Sequence, residues 1–265
     1  MITAGIDIGS IATKVVVFDI EKEKIISRVV GSTGSQPRAV AEGLLEEALT
    51  QAGVSRKKVE HIISTGYGRR AIEFPTKTIT EISCCAKGVG WYLDQNQLDG
   101  TITVIDLGGQ DTKVILLDEN KDVTDFVMND KCAAGTGRFL EVMANVLEVD
   151  LDSLGHLSLK SKNLLSINST CTVFAESEVI SLIAQGKNKE DIIAGICLSI
   201  TERIVSMVRQ VGEKGDIFFC GGGAKNEGIK KALKAKLGLN VYVPDEPQFV
   251  VALGAALFAK SSSSF

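Results

Sequence analysis

Ile6-Asp7-Ile8-Gly9-Ser10-Ile11-Ala12-Thr13-Lys14-Val15-Val16-Val17-Phe18-Asp19 lines up with Ile105-Asp106-Leu107-Gly108-Gly109-Gln110-Asp111-Thr112-Lys113-Val114-Ile115-Leu116-Leu117-Asp118 at a constant offset of 99 positions. Ile, Asp, Gly, Thr, Lys, Val and Asp recur in place. Each copy reads as an apolar strand, a Gly-containing turn and a second apolar strand, that is, a β-hairpin whose tip carries Asp, Gly and small polar residues. Such a tip suits phosphate. Gly lets backbone N–H groups come close to an anion, and successive N–H groups in a turn form an anion-binding concavity. An Asp ending each first strand would hold Mg²⁺ through water, because Mg²⁺ takes few carboxylates and keeps several waters. A lone Asp-x-Gly is commonly just a turn. Two copies in register carry the inference, and two hairpins facing each other could clamp a triphosphate from both sides.

A third glycine cluster follows an apolar strand at Ile217-Phe218-Phe219-Cys220-Gly221-Gly222-Gly223-Ala224-Lys225-Asn226. Strand, three glycines and a helix opening near Asn226 would let backbone pack on a flat ligand or its α-phosphate. A plain β–α turn would read the same way. Elsewhere the apolar spacing predicts helices over 38–52, 81–93, 136–147, 172–185, 189–211 (stopped by Gly212) and 248–260. His61-Ile62-Ile63-Ser64-Thr65-Gly66-Tyr67-Gly68-Arg69 reads as a strand leaving through a Gly-rich turn. The expectation is two α/β lobes with a nucleotide cleft between them: 1–97, closed by the helix at 248–260, and 98–247.

Bulk properties agree. With 265 residues, 45% hydrophobic but only 5% aromatic, and 26 Gly, the chain favours aliphatic α/β layers over an all-β sandwich. A net charge of −4 gives no reason to expect nucleic acid or an anionic membrane as partner. No apolar run reaches the ~20 residues of a membrane span, and no basic stretch opens the chain, so a cytoplasmic location is expected. Six cysteines without any Cys-x-x-Cys pair match neither a zinc ribbon nor a ferredoxin. Ser261–Phe265 reads as a disordered tail.

Asn129-Asp130-Lys131-Cys132-Ala133-Ala134-Gly135-Thr136-Gly137-Arg138-Phe139 and Ser169-Thr170-Cys171-Thr172-Val173-Phe174-Ala175-Glu176-Ser177-Glu178 add a more specific signal. With Asp106-Leu107-Gly108-Gly109-Gln110-Asp111, they resemble the activators (ATPase components) of 2-hydroxyacyl-CoA dehydratases. That family also holds the ATP-binding subunits of benzoyl-CoA reductase and the reductases of double-cubane-cluster proteins. The resemblance spans essentially the whole chain. It implies an actin/Hsp70/sugar-kinase (ASKHA) fold with duplicated ribonuclease-H-like halves, ATP/ADP and Mg²⁺, and a homodimer sharing one [4Fe–4S] cluster. It also implies that each subunit gives two thiolates, Cys132 and Cys171. A symmetric pair doubles two cysteines into the four that a cubane needs. Each of the two stands immediately before an expected helix, whose N-terminal dipole favours thiolate. Cys197 and Cys220 read as core, and Cys84-Cys85 receive no role.

On this reading Asp7 and Asp106 coordinate Mg²⁺ through water. Amides around Gly9, Ser10, Gly108 and Gly109 cradle the β- and γ-phosphates, helped by the Ser10 and Thr13 hydroxyls. Gln110 orients attacking water, and its repeat counterpart is Ile11. Gly221, Gly222 and Gly223 face the adenosine. Lys14 and Lys113 are left as solvated or paired residues. Implied partners are a ferredoxin or flavodoxin donor and an iron–sulfur acceptor enzyme, either a dehydratase or a double-cubane protein. The alternatives are a small-molecule kinase with Asp111 or Glu176 as base, and a non-redox nucleotide-gated assembly protein.

Overall fold

The structure, a computed structural model, describes residues 1–167 and 171–259. Ser169 and Thr170 of the second cysteine motif, residue 260 of the last predicted helix and the expected tail lie outside the described residues. Two compact units emerge. The first comprises Met1–Gly100, Asp118–Val123 and the stretch from Gln248; the second comprises Thr101–Leu117 and Thr124–Pro247.

The first unit contains β1 (Ile2–Ile8), β2 (Ala12–Asp19), β3 (Lys24–Ser32), α1 (Pro37–Ala52), β4 (Val59–Thr65), β5 (Lys77–Thr78) and α2 (Glu81–Gln95). Its sheet runs β3-β2-β1-β4-β5. β1 pairs antiparallel with β2, placing Asp7 opposite Lys14, and parallel with β4, placing Asp7 opposite Thr65. The period of two sorts β2 between layers. Val15 and Val17 join a core with Ala41, Leu45 and Leu49 of α1, while Val16 and Phe18 join Ala252, Leu253 and Ala256.

The second unit contains β6 (Ile102–Leu107), β7 (Thr112–Leu117), β8 (Val123–Asn129), α3 (Gly137–Leu147), α4 (Leu154–Ser158), α5 (Thr172–Ala184), α6 (Lys189–Val211), β9 (Asp216–Cys220), α7 (Glu227–Leu237) and β10 (Val241–Tyr242). Its sheet order, taken from β8, is β8-β7-β6-β9-β10, matching the first sheet strand for strand. The registers match as well: Asp106 lies opposite Lys113 on β7 and opposite Cys220 on β9. The duplication seen in 14 residues therefore extends to a whole five-stranded sheet. After it, α8 (Val250–Leu257), entirely buried, returns to the first unit. Its backbone lies so close to β1 that a Cβ on Gly5 would strike Ala252 O and sit 2.5 Å from Ala256 N, so only glycine fits there.

Candidate functional site

In the first hairpin the Gly9 N–H donates to Ala12 O (3.1 Å), closing a tight turn. Thr33, just beyond β3, braces that turn: its N–H donates to Ile11 O (2.8 Å) and its hydroxyl to Gly9 O (2.8 Å). The Thr13 hydroxyl is buried and pairs with Thr33 Oγ1 at 2.9 Å, so its visible contact is with the brace. Ser10 is exposed at the tip. The Asp7 carboxylate is buried. Oδ2 accepts from Lys14 Nζ at 2.9 Å, and Oδ1 has no partner among the described residues. A buried carboxylate oxygen left unpaired is costly and calls for a donor or a cation. A hydrated Mg²⁺ fits that need.

The second hairpin repeats the turn, with Gly108 N–H donating to Asp111 O (2.9 Å). Here the brace comes from α3. The N–H groups of Gly137 and Arg138 donate to Gly108 O (2.9 Å) and Gly109 O (2.7 Å). The Thr112 hydroxyl donates to Gly135 O at 2.6 Å. Asp106 is buried, and Lys113 is only 2% exposed. Lys113 Nζ lies 2.7 Å from Asp111 Oδ2 and 3.7 Å from Asp106 Oδ2. Both lysines, left aside on the sequence alone, are thus embedded ion-pair partners of the tip aspartates. Gln110 is exposed at the turn, as is Ile11's neighbour Ser10 in the first copy.

Behind each aspartate stands a glycine pair that the sequence reading did not match up. Gly66 (φ 92°) leaves β4 and Gly221 (φ 83°) leaves β9, both in backbone that disfavours any side chain. A Cβ on Gly66 would come 2.7 Å from Asp7 Oδ1, and one on Gly221 would come 2.5 Å from Asp106 Oδ1. Two residues on, Gly68 presses against Ile8 and Gly223 against Leu107, the same repeat position. The signal was present as Gly-x-Gly after a strand in both halves. Of the glycines expected at adenosine, Gly222 alone opens onto free space, Gly223 is buried, and Gly221 seats the aspartate. Asn226 caps α7, its Oδ1 accepting from Ile229 N–H at 3.1 Å.

Cys132 and Cys171 are half-buried, whereas Cys84, Cys85, Cys197 and Cys220 are buried. Cys171 is the N-cap of α5, as expected. Cys132 corrects the expectation. It lies in a loop, and α3 begins only after the N-cap Thr136, so this cysteine does not directly precede a helix. Asn129 holds the loop instead: its Nδ2 donates to Cys132 O (3.0 Å) and Ala134 O (3.2 Å), and its Oδ1 accepts from Cys132 N–H (3.3 Å). Beside Cys171 the Thr172 hydroxyl is buried without a partner among the described residues, and Val173 and Phe174 are 65% and 68% exposed. Among the described residues, no three His, Cys, Asp or Glu side chains gather as a metal-holding set within one copy. Two thiols per copy fit a cluster that takes half its ligands from each of two copies.

The model of the BadF/BadG/BcrA/BcrD ATPase family matches residues 4–259. The chain belongs to this family. It is 45% identical over 263 residues to the 2-hydroxyisocaproyl-CoA dehydratase activator of Clostridioides difficile, covering 98% of this chain and 95% of that one. Among solved structures, the activator of the 2-hydroxyisocaproyl-CoA dehydratase from Clostridium difficile with bound ADPNP superposes with a TM-score of 0.90 at 43% identity, covering 99% of this chain and 97% of that one. Component A of the Acidaminococcus fermentans (R)-2-hydroxyglutaryl-CoA dehydratase gives 0.92 at 40% identity, with full coverage of both. The fold is the expected duplicated α/β fold of actin-like ATPases, and the family resemblance drawn from the cysteine and aspartate motifs is correct.

Proposed function

We propose that this chain is an ATP-dependent one-electron donor that activates a partner iron–sulfur enzyme, such as a 2-hydroxyacyl-CoA dehydratase or a double-cubane protein. The observation that carries the reading is a hydrogen-bonded link inside the second unit. The carbonyls of Gly108 and Gly109 hold the first N–H groups of α3, and Thr112 holds Gly135, three residues beyond Cys132. A turn shaped for phosphate and a thiol suited to a cluster are therefore braced on one short segment. Family membership and the activator relatives support the same reading.

In this proposal Asp7 and Asp106 hold hydrated Mg²⁺, and the amides of Gly9, Ser10, Gly108 and Gly109 receive the β- and γ-phosphates. The exposed Ser10 hydroxyl assists while Thr13 steadies the turn through Thr33, and Gly222 faces the adenosine with Gly221 and Gly223 shaping the backbone beneath it. Gln110 orients the attacking water. Cys132 and Cys171 of two copies supply four thiolates to a shared [4Fe–4S] cluster, whose chemistry when bound is the storage and release of one electron, received from a ferredoxin or flavodoxin. ATP and ADP do work only if they favour different arrangements of these residues. The brace from Gly108 and Gly109 to α3 is where this chain carries that difference toward Cys132.

Anaerobic purification tests the proposal. The expected product is a brown dimer with about four irons per pair of chains. Cys132→Ser and Cys171→Ser each lose the iron and electron transfer but still bind Mg-ADP. Asp106→Asn keeps the colour and loses hydrolysis. A chain that stays colourless after reconstitution with iron and sulfide, or a serine variant with its full iron content, overturns the assignment.

A further inference from the structure

The two tips share a fold but not their electrostatics, and the difference traces to one residue. Ala12 and Asp111 occupy the same repeat position. Where Ala12 stands, Lys14 sits directly on the tip aspartate, with Nζ 2.9 Å from Asp7 Oδ2. Where Asp111 stands, it draws Lys113 to 2.7 Å and leaves that ammonium 3.7 Å from Asp106 Oδ2. In the second tip, therefore, a second carboxylate lies closer to the lysine than the tip aspartate does. Gly108 permits the arrangement, since a Cβ there would meet the Asp111 carboxylate itself.

We propose that Asp111 is a positioning residue: it holds Lys113 off Asp106 and so makes the second tip the stronger cation site of the two. This rests on reading the tips as holders of a magnesium nucleotide. The first half serves as an internal comparison: with Ala12 at the position of Asp111, the lysine lies directly on its tip aspartate. Lys113 also cannot move far, because it is almost completely buried on β7. It exchanges one acidic partner for the other within about 1 Å. At an effective dielectric near 20, closing that gap strengthens the Lys113–Asp106 attraction enough to weaken a competing cation roughly tenfold. Asp111 acts on the metal through Lys113, with no contact to the metal required.

Mn²⁺ titration of the ADP-bound protein, read by electron paramagnetic resonance, tests this, with thermal unfolding confirming that each variant is folded. Asp111→Asn is expected to weaken Mn²⁺ about tenfold while ADP affinity in EDTA stays unchanged. Asp111→Asn combined with Lys113→Met is expected to restore wild-type Mn²⁺ affinity or better, since the displaced lysine is gone. An unchanged Asp111→Asn overturns the proposal. So does a double variant as weak as the single one, because Asp111 would then act on the metal directly. Should Asp111→Asn fail to fold, Lys113→Met alone is expected to tighten Mn²⁺, and unchanged or weaker binding overturns the idea. A wild-type protein that binds no ADP sinks the nucleotide reading itself. Wild-type binding with an indifferent Asp111→Asn sinks only the positioning role.

Discussion

Gly66→Ala isolates the fit between β4 and the first aspartate tip. Two costs can be separated. The first is backbone strain: at φ 92° an L-residue sits in left-handed space, which costs roughly 1–2 kcal/mol. The second is steric. The new methyl would lie 2.7 Å from Asp7 Oδ1 and collide with Ile8 O, neither of which is the loose end of a flexible side chain. Relief requires β1 or the carboxylate to shift by several tenths of an ångström within a packed sheet, adding roughly 1–3 kcal/mol, the usual range for overpacking. The sum is about 2–5 kcal/mol. Gly53→Ala is the matched control. Its φ is 64° but nothing lies within 4 Å of the added Cβ, so only strain of about 1–2 kcal/mol is expected. Urea unfolding gives both stabilities, and calorimetric titration with Mg-ADP gives the binding consequence. Gly66→Ala is expected to lose more stability than Gly53→Ala and to weaken Mg-ADP, because Asp7 is displaced. Equal losses in the two variants, or unchanged Mg-ADP affinity in Gly66→Ala, would refute the reasoning.

Other perturbations probe separate features. Lys14→Met leaves the Asp7 carboxylate buried without its cation, and urea unfolding should show a loss of about 2–3 kcal/mol, most of it regained when Asp7→Asn is added. Burial pushes the Cys84 and Cys197 thiols up to about 12, so in cluster-free native protein iodoacetamide should label Cys132 and Cys171 and spare these two; mass spectrometry of the peptides decides. The Asp191 carboxyl is held down at about 2, first by the Asn163 N–H, then by the Ser161 hydroxyl and the Lys162 N–H. The stability it adds is complete above its ordinary value near 4 and disappears as pH falls toward 2. Asp191→Asn should therefore flatten the urea-midpoint curve between about pH 4 and pH 2.

The fold was legible because the duplicated hairpin is strong, local and nearly all apolar. Strand, glycine and strand recur with the same spacing, and the helices between them follow ordinary 3.6-residue periodicity. α5 and α6 fall within a residue or so of the expected 172–185 and 189–211. β8 was not legible: Val123–Asn129 is an edge strand, mostly exposed, and its mixed composition resembles a loop. Asp7 and Asp106 stood out because each copy pointed to the other. The glycines that seat them, Gly66 and Gly221, did not pair up in the sequence. Each is brought to its own aspartate by parallel strand pairing, β1 with β4 and β6 with β9, which no local pattern announces. Lys14 and Lys113 looked like polar residues alternating on a strand, and the pairing of Lys14 with Asp7 and the burial of Lys113 between Asp106 and Asp111 are tertiary facts. The helix expected over 136–147 is α3, but Cys132 does not abut it: residues 133–135 lie between this thiol and the N-cap. The structure places Thr136 at the cap and gives the loop to Asn129.

The return of α8 to β1 makes the second unit, in topological terms, an insertion within the first. The Thr3 hydroxyl donates to Ala256 O at 3.0 Å, so residues 253 positions apart share one layer. During synthesis, β1 and Gly5 leave the ribosome long before the helix that covers them. The second unit has all its strands by Tyr242 and is free to close while the first still exposes apolar sheet. A nascent chain stalled before Val250 should therefore present one finished half and one sticky half, and it is the sticky half that a chaperone would meet.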